Sequence, residues 1–142
     1  MALDISPAWL AAFPGTRFFP DHHLLTWRPH GVLNFIQAEA IIRWMEAVEP
    51  SLGTFNRFAD FSELSEIHLS TDDLAVLASR RGKYSGGRAT SVLLAGTPLA
   101  YGIAAMYERL MSGSMLNVRV VVRITSACRI LSVTPDLLLR NA

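Results

Sequence analysis

The sequence predicts an α/β fold: a mostly parallel sheet of four to five strands joined by crossover helices. Three observations carry this. Short β-branched or apolar runs alternate with amphipathic helical segments along most of the chain, an order that yields strand–helix–strand units and a parallel sheet. The run Val92-Leu93-Leu94 is unbroken, as in a strand covered on both faces. Helical segments open on side chains suited to N-caps, at Asn34, Ser70 and Thr97. The 142 residues contain no linker, repeat or low-complexity tract, so a single domain is expected, with a short helical extension over about residues 1–16.

Residues 5–13 read as that first helix. Ser6 caps it, Pro7 takes its first position and Pro14-Gly15 ends it. Trp9, Leu10 and Phe13 form a sticky face that packs either on its own domain or on another copy, the second case giving a homodimer. Leu24-Leu25-Thr26-Trp27 is a strand, and Arg28-Pro29-His30-Gly31 is a turn. The first strands are expected to pair as an antiparallel hairpin at one side of the sheet. Val32-Leu33 then leads into a helix capped by Asn34. Over residues 34–48, Phe35, Ala38, Ile41, Ile42, Met45 and Val48 recur at three- and four-residue steps and form one face. Gln37, Glu39, Arg43 and Glu46 take the other. Pro50 with Ser51-Leu52-Gly53 is expected to stop the helix, and Trp44 sits at its rim.

The chain is organised around residues 54–81, read as a short strand, a long hydroxyl-rich loop and a capped amphipathic helix. Phe55, Arg57 and Ala59 share one strand face, and Asp60-Phe61-Ser62 marks the strand end. Ser70 is the helix cap, and Thr71, Asp72 and Asp73 place acids in the first turn, against the positive end of the helix dipole. Leu74, Leu77 and Ala78 form the buried side. Arg80, Arg81 and Lys83 gather at the negative end, where Gly82 terminates the helix. Residues 89–95 form the next strand. Thr97 and Pro98 start a helix over 99–111, and residues 117–124 form a strand with Arg119 and Arg123 opposite Val120 and Val122. A short helix or turn through Leu131 and a last helix over 137–140 close the chain.

This order resembles the STAS-like group, the fold of bacterial anti-sigma-factor antagonists and of the cytoplasmic tails of sulfate transporters. The likeness lies in HLLTWRPHGVL, WMEAVEP, RFADFSEL, LSTDDLAVLA, SVLLAG and LAYGIAAMYERLM, covers roughly residues 20–135, and rests on element order. The chain is also similar to bacterial single-domain members grouped with lipid-binding Sec14-like folds. The resemblance implies a non-enzymatic module acting through a protein partner in bacterial signalling, with lipid or small anionic ligand binding as the alternative. In the antagonists a phosphorylatable serine opens the helix after the third strand, in a run like Asp-Ser-Ser-Gly-Leu. Here the run is Ser70-Thr71-Asp72-Asp73-Leu74: Asp72 stands at the serine position and Asp73 at the glycine. The carboxylate either mimics a permanent charge there or belongs to a well-capped helix start.

Candidate site residues follow from the rule that ligands in parallel α/β sheets settle beyond the carboxyl ends of the strands. Asp60, Ser62, Ser70, Thr71, Asp72, Asp73 and Thr97 lie at such ends, and helix N-termini there offer N–H donors to an anion. Tyr101 adds an aromatic anchor for an interface. Each also has a plain reading as a cap, turn or core residue. The basic segment Arg80–Arg88 lacks the pattern of a phosphate-binding loop and reads as a helix end with a solvated loop, the alternative being a mobile loop that contacts an anion or nucleic acid. His22, His23, His30 and His68 lack metal-ligand spacing, Ser62 and Ser65 lack a nucleophile elbow, and Cys128 has no nearby base. No cofactor, metal or catalytic role is therefore expected. A formal charge of +1 offers no field for nucleic acid. One cysteine, no signal-like start and no long apolar run lead to the expectation of a cytoplasmic protein without a transmembrane segment. A lipid occupant requires an apolar cavity of roughly 300 Å³ or more; a protein partner requires an exposed apolar patch with a polar rim.

Overall fold

Strand and helix signals alternate through the computed structural model, which describes residues 13–139. β1 (Thr16–Phe19), β2 (Leu24–Trp27) and β3 (Gly31–Asn34) lead into α1 (Phe35–Leu52). β4 (Asn56–Asp60) and β5 (Leu64–His68) lead into α2 (Thr71–Arg81), followed by β6 (Ala89–Leu94) and α3 (Pro98–Leu110). β7 (Leu116–Val121), α4 (Ile124–Leu131) and α5 (Pro135–Leu139) complete the order. The helix expected over residues 5–13 falls, except for Phe13, outside the described residues.

The main sheet has five strands in the order β1-β2-β4-β6-β7. β1 pairs antiparallel with β2 at one edge, and every other pairing in this sheet is parallel. Gly15, at φ +84°, lets the chain entering β1 approach Arg28, where a Cβ would sit 2.6 Å from the Arg28 carbonyl oxygen. The crossovers β2→β4, β4→β6 and β6→β7 all step the same way across the sheet. Connections of one hand then place α1, α2 and α3 on one face. Leu25, Leu93 and Val118 point to that face and pack beneath these helices. Leu24, Phe58, Val92 and Val121 point to the other, beneath α4 and α5, together with Ala127, Cys128, Leu131 and Leu138.

Local chemistry explains most element ends. Asn34 and Ser70 each form a capping box, with Gln37 and Asp73 respectively, and Thr97 accepts a hydrogen bond from the Ala100 N–H at 3.2 Å. Three expectations are corrected. Pro50 does not stop α1, which runs on to Leu52. A proline in the last turn removes one intrahelical bond, while buried Val48 and core-packed Leu52 hold the turn down until Gly53 leaves the helix at φ +73°. The strand expected over residues 117–124 ends at Val121, because the Ala95 N–H to Val121 carbonyl bond is the last its neighbour β6 supplies. Val122 and Arg123 are exposed, and Arg123 stands at the N-cap position of α4 without a side-chain capping bond.

The third correction bears on the site. Residues 62–69, read as a loop, contain β5, which pairs in parallel with β3 as a separate two-stranded ribbon. Its register jumps from Gly31↔Leu64 to Val32↔Glu66, leaving Ser65 as the extra residue of a bulge. The bulge makes Leu64 and Ile67 three residues apart, so the two-residue alternation that signals a strand is lost. The ribbon continues the neighbouring strands β2 and β4 after a shared break. Arg28 Nε donates to Asp60 Oδ2 at 3.0 Å across that break, and Gly31 N–H donates to the Glu63 carbonyl at 3.2 Å.

Candidate functional site

Between the sheet and α1, α2 and α3 lies a cavity of about 160 Å³. Its walls are apolar on nearly every side. The sheet contributes Leu25, Ala59, Leu93 and Val118, α1 contributes Ala38, Ile41, Ile42 and Met45, and α2 contributes Leu74 and Leu77. Ile103, Ala104 and Tyr107 come from α3, and Leu33, Ile67 and Leu69 from the ribbon and the residue after it. The same apolar periodicity that docks each helix on the sheet thus lines the space between them. Small residues at Ala38, Ala59 and Ala104 leave it unfilled.

One wall is charged. Arg57, on β4, and Arg81, in the last turn of α2, both line the cavity and are only 6% and 5% exposed. Burying a guanidinium is costly unless it is paired. Both pair with one carboxylate, Glu49 of α1. Arg57 Nη2 donates to Glu49 Oε2 at 2.6 Å, while Arg81 donates from Nη1 to Oε1 at 3.2 Å and from Nη2 to Oε2 at 2.5 Å. Arg57 Nη1 also donates to the Phe55 carbonyl. The Arg57 guanidinium lies 4.1 Å from the Phe55 ring centroid and 4.9 Å from that of Tyr84. Arg57 Nε and the Tyr84 hydroxyl are buried without hydrogen-bond partners. Burial pulls the Arg57 pKa down, opposed by its hydrogen bond to Glu49. Burial pushes the Tyr107 phenol up to about 12, so it is neutral at ordinary pH.

Beyond Arg81 the outer surface carries a wider groove of about 390 Å³, walled by Glu46, Glu49, Arg80, Arg81, Lys83 and Tyr84. Its charges are largely satisfied. Arg80 grips Glu46 with three hydrogen bonds of 2.6–3.1 Å and reaches Glu39 at 3.6 Å. Glu46 accordingly has a lowered pKa, chiefly through that hydrogen bonding. Two cations of the basic segment are therefore held by α1, leaving Lys83 and Arg88 exposed.

The residues singled out from the sequence fall in different places. Asp60 is 2% exposed and held by Arg28 and by the Ser62 N–H at 2.9 Å, so it clasps the break between sheet and ribbon rather than standing at a free surface. Ser70 and Asp73 exchange the two bonds of the α2 capping box, and Thr97 caps α3. Ser62, Thr71, Asp72 and Tyr101 are exposed. α2 and α3 start at the same rim of the sheet, so this set shares a side of the molecule, away from the Glu49 wall at the far end of α2. Sequence reasoning missed Glu49, Arg57 and Arg81 as a group. The available signal was an arginine between Phe55 and Phe58, on the strand face it shares with Phe55 and Ala59.

Among the described residues no group of three His, Cys, Asp or Glu side chains is placed to hold a metal ion, and no helix is long and apolar enough to cross a membrane. No family model matches the chain, and no curated protein or solved structure matches it.

Proposed function

We propose that this protein is a non-enzymatic binding module, STAS-like in chain order, that holds a small amphipathic molecule in the cavity between its sheet and α1–α3. The observation that carries this reading is an apolar cavity, bounded by three helices and the β3–β5 ribbon, with one buried polar wall. That combination of apolar lining and few convergent polar groups characterises small-molecule sites. At about 160 Å³ the cavity is well short of what a lipid chain requires. Apolar cavities of about 150 Å³ take up guests of benzene size, so the occupant has a body of roughly six to eight non-hydrogen atoms. Buried, unpaired Cys128 suits a protein of a reducing compartment.

Native mass spectrometry of protein purified gently from its own host tests this. A discrete added mass of roughly 80–150 Da, matching a body of that atom count with or without a small polar head, supports it. Bare polypeptide that also fails to take up added small apolar compounds overturns it.

A second reading, a protein partner in bacterial signalling, draws on the rim where Thr71, Asp72 and Tyr101 are exposed beside Leu99 at 57% exposure. A second polypeptide in the same spectra, lost on Asp72→Lys or Tyr101→Ala, supports it. Unchanged capture by those variants counts against it, and a doubled mass identifies the partner as another copy of the chain.

A further inference from the structure

We propose that the cavity's ligand is a monoanion, a small carboxylate with an apolar body of the benzoate or hexanoate class, whose head group meets the Arg57–Arg81 wall. This rests on the cavity being a ligand site and specifies the charge of what it takes.

The inference comes from the charges facing the wall. Arg57 comes from β4 and Arg81 from α2, and among the described residues Glu49 of α1 is the one carboxylate hydrogen-bonded to either. The neighbouring acids are engaged elsewhere, Glu46 on Arg80 and Glu39 on Arg80 and Arg43. Tyr84 and Tyr107 contribute aromatic rings rather than carboxylates. Two buried guanidiniums thus share a single negative charge, and one positive charge in the cluster lacks a counterion.

The donors agree with the charge. A guanidinium carries five N–H donors and accepts nothing, and the Nε of Arg57 is buried with no acceptor. Arg57 lines the cavity with its side chain 7% exposed. The aromatic faces of Phe55 and Tyr84 soften the charge but supply no in-plane acceptor. A carboxylate supplies both the missing charge and the planar acceptor that arginine binds best. A dianionic phosphate would overshoot the single excess charge, and the apolar remainder of the cavity disfavours a bare inorganic ion.

The test is calorimetric titration of the full chain with one shape in three charge states: benzoate, benzamide and benzamidinium, with toluene as apolar reference. Benzoate is expected to bind at least tenfold tighter than benzamide, a difference of about 1.4 kcal/mol, and benzamidinium not to bind. Arg57→Gln, where it folds by circular dichroism, is expected to erase the preference. Ala104→Leu, which places extra carbons in the cavity, is expected to abolish benzoate binding and so locate it. Benzamide binding as tightly as benzoate, toluene binding without benzoate, or benzoate binding untouched by Ala104→Leu overturns the monoanion assignment. Failure of all four compounds overturns the cavity reading itself.

Discussion

Replacing Glu49 by Gln keeps the shape of the side chain and removes the one negative charge that Arg57 and Arg81 share. At an effective dielectric of about 20, opposite charges about 4 Å apart attract by about 4 kcal/mol. Glu49 serves two such partners and is 11% exposed at its side chain, so water replaces little of the loss. The amide nitrogen of Gln also brings a donor toward guanidinium donors. Breaking a buried ion pair by removing one partner costs about 3–5 kcal/mol, a large share of the 5–15 kcal/mol that stabilises a typical domain. Glu49→Gln is therefore expected to lower Tm by roughly 10 °C, at about 2–4 °C per kcal/mol for a domain of this size. Urea unfolding followed by tryptophan fluorescence and circular dichroism measures it. Adding Arg81→Gln should cost much less than the sum of the two single changes, because it leaves one uncompensated guanidinium in place of two. A loss below about 1 kcal/mol for Glu49→Gln would refute the view that this carboxylate holds the charged wall together.

Four further substitutions have expected outcomes. Asp60→Asn removes the buried partner of Arg28 and is expected to cost about 3 kcal/mol, with faster hydrogen exchange at Leu64 and Ile67 of the ribbon; unchanged exchange there would show that the clasp does not hold the ribbon. Tyr107 is partly exposed in area, yet burial of its phenol, opposed by the nearby charges of Arg81 and Arg57, raises its pKa from 10 to about 12. A raised folded-state pKa gives stability that is full below pH 10 and lost as pH rises through 12, worth up to about 2–3 kcal/mol. Tyr107→Phe should flatten that decline relative to wild type, and an ordinary midpoint for every tyrosine in a tyrosinate absorbance titration would contradict it. Ser70→Ala is expected to cost about 1 kcal/mol through its cap, and Asp72→Asn less than about 1 kcal/mol through the helix dipole alone, both read by urea unfolding; a larger loss at Asp72 would give it a structural role that the capping box does not.

Local signals in the sequence were legible where one residue decides one feature. The Asn34, Ser70 and Thr97 caps, the unbroken Val92-Leu93-Leu94 strand and the face made by Ala38, Ile41, Ile42, Met45 and Val48 all stand where the pattern puts them. The α/β class and the mostly parallel sheet follow from their order, as does the antiparallel edge. β5 was hidden because its bulge at Ser65 breaks the alternation, and its partner β3 is 33 residues away at Gly31↔Leu64. The site was hidden for a related reason. Glu49, Arg57 and Arg81 belong to a helix end, a strand and another helix end, and each alone has an ordinary local explanation. Only the packing of α1 and α2 on β4 makes them one cluster. The hydroxyl-rich rim looks like a ligand site in the sequence because caps and ligand contacts use the same residue types, whereas Asp60 turns inward to Arg28.

A ligand site beneath α1–α3 requires that this space admit an apolar guest. Methyl NMR spectra of the full chain under xenon pressure test this most directly, since xenon enters apolar cavities without needing a polar partner. The expected result is saturable shifts confined to Ile42, Leu77, Leu93 and Ile103, absent in Ala104→Leu, which should itself be more stable by about 0.5–2 kcal/mol as a cavity-filling change. Shifts scattered over the surface, or the same shifts persisting in Ala104→Leu, would contradict it.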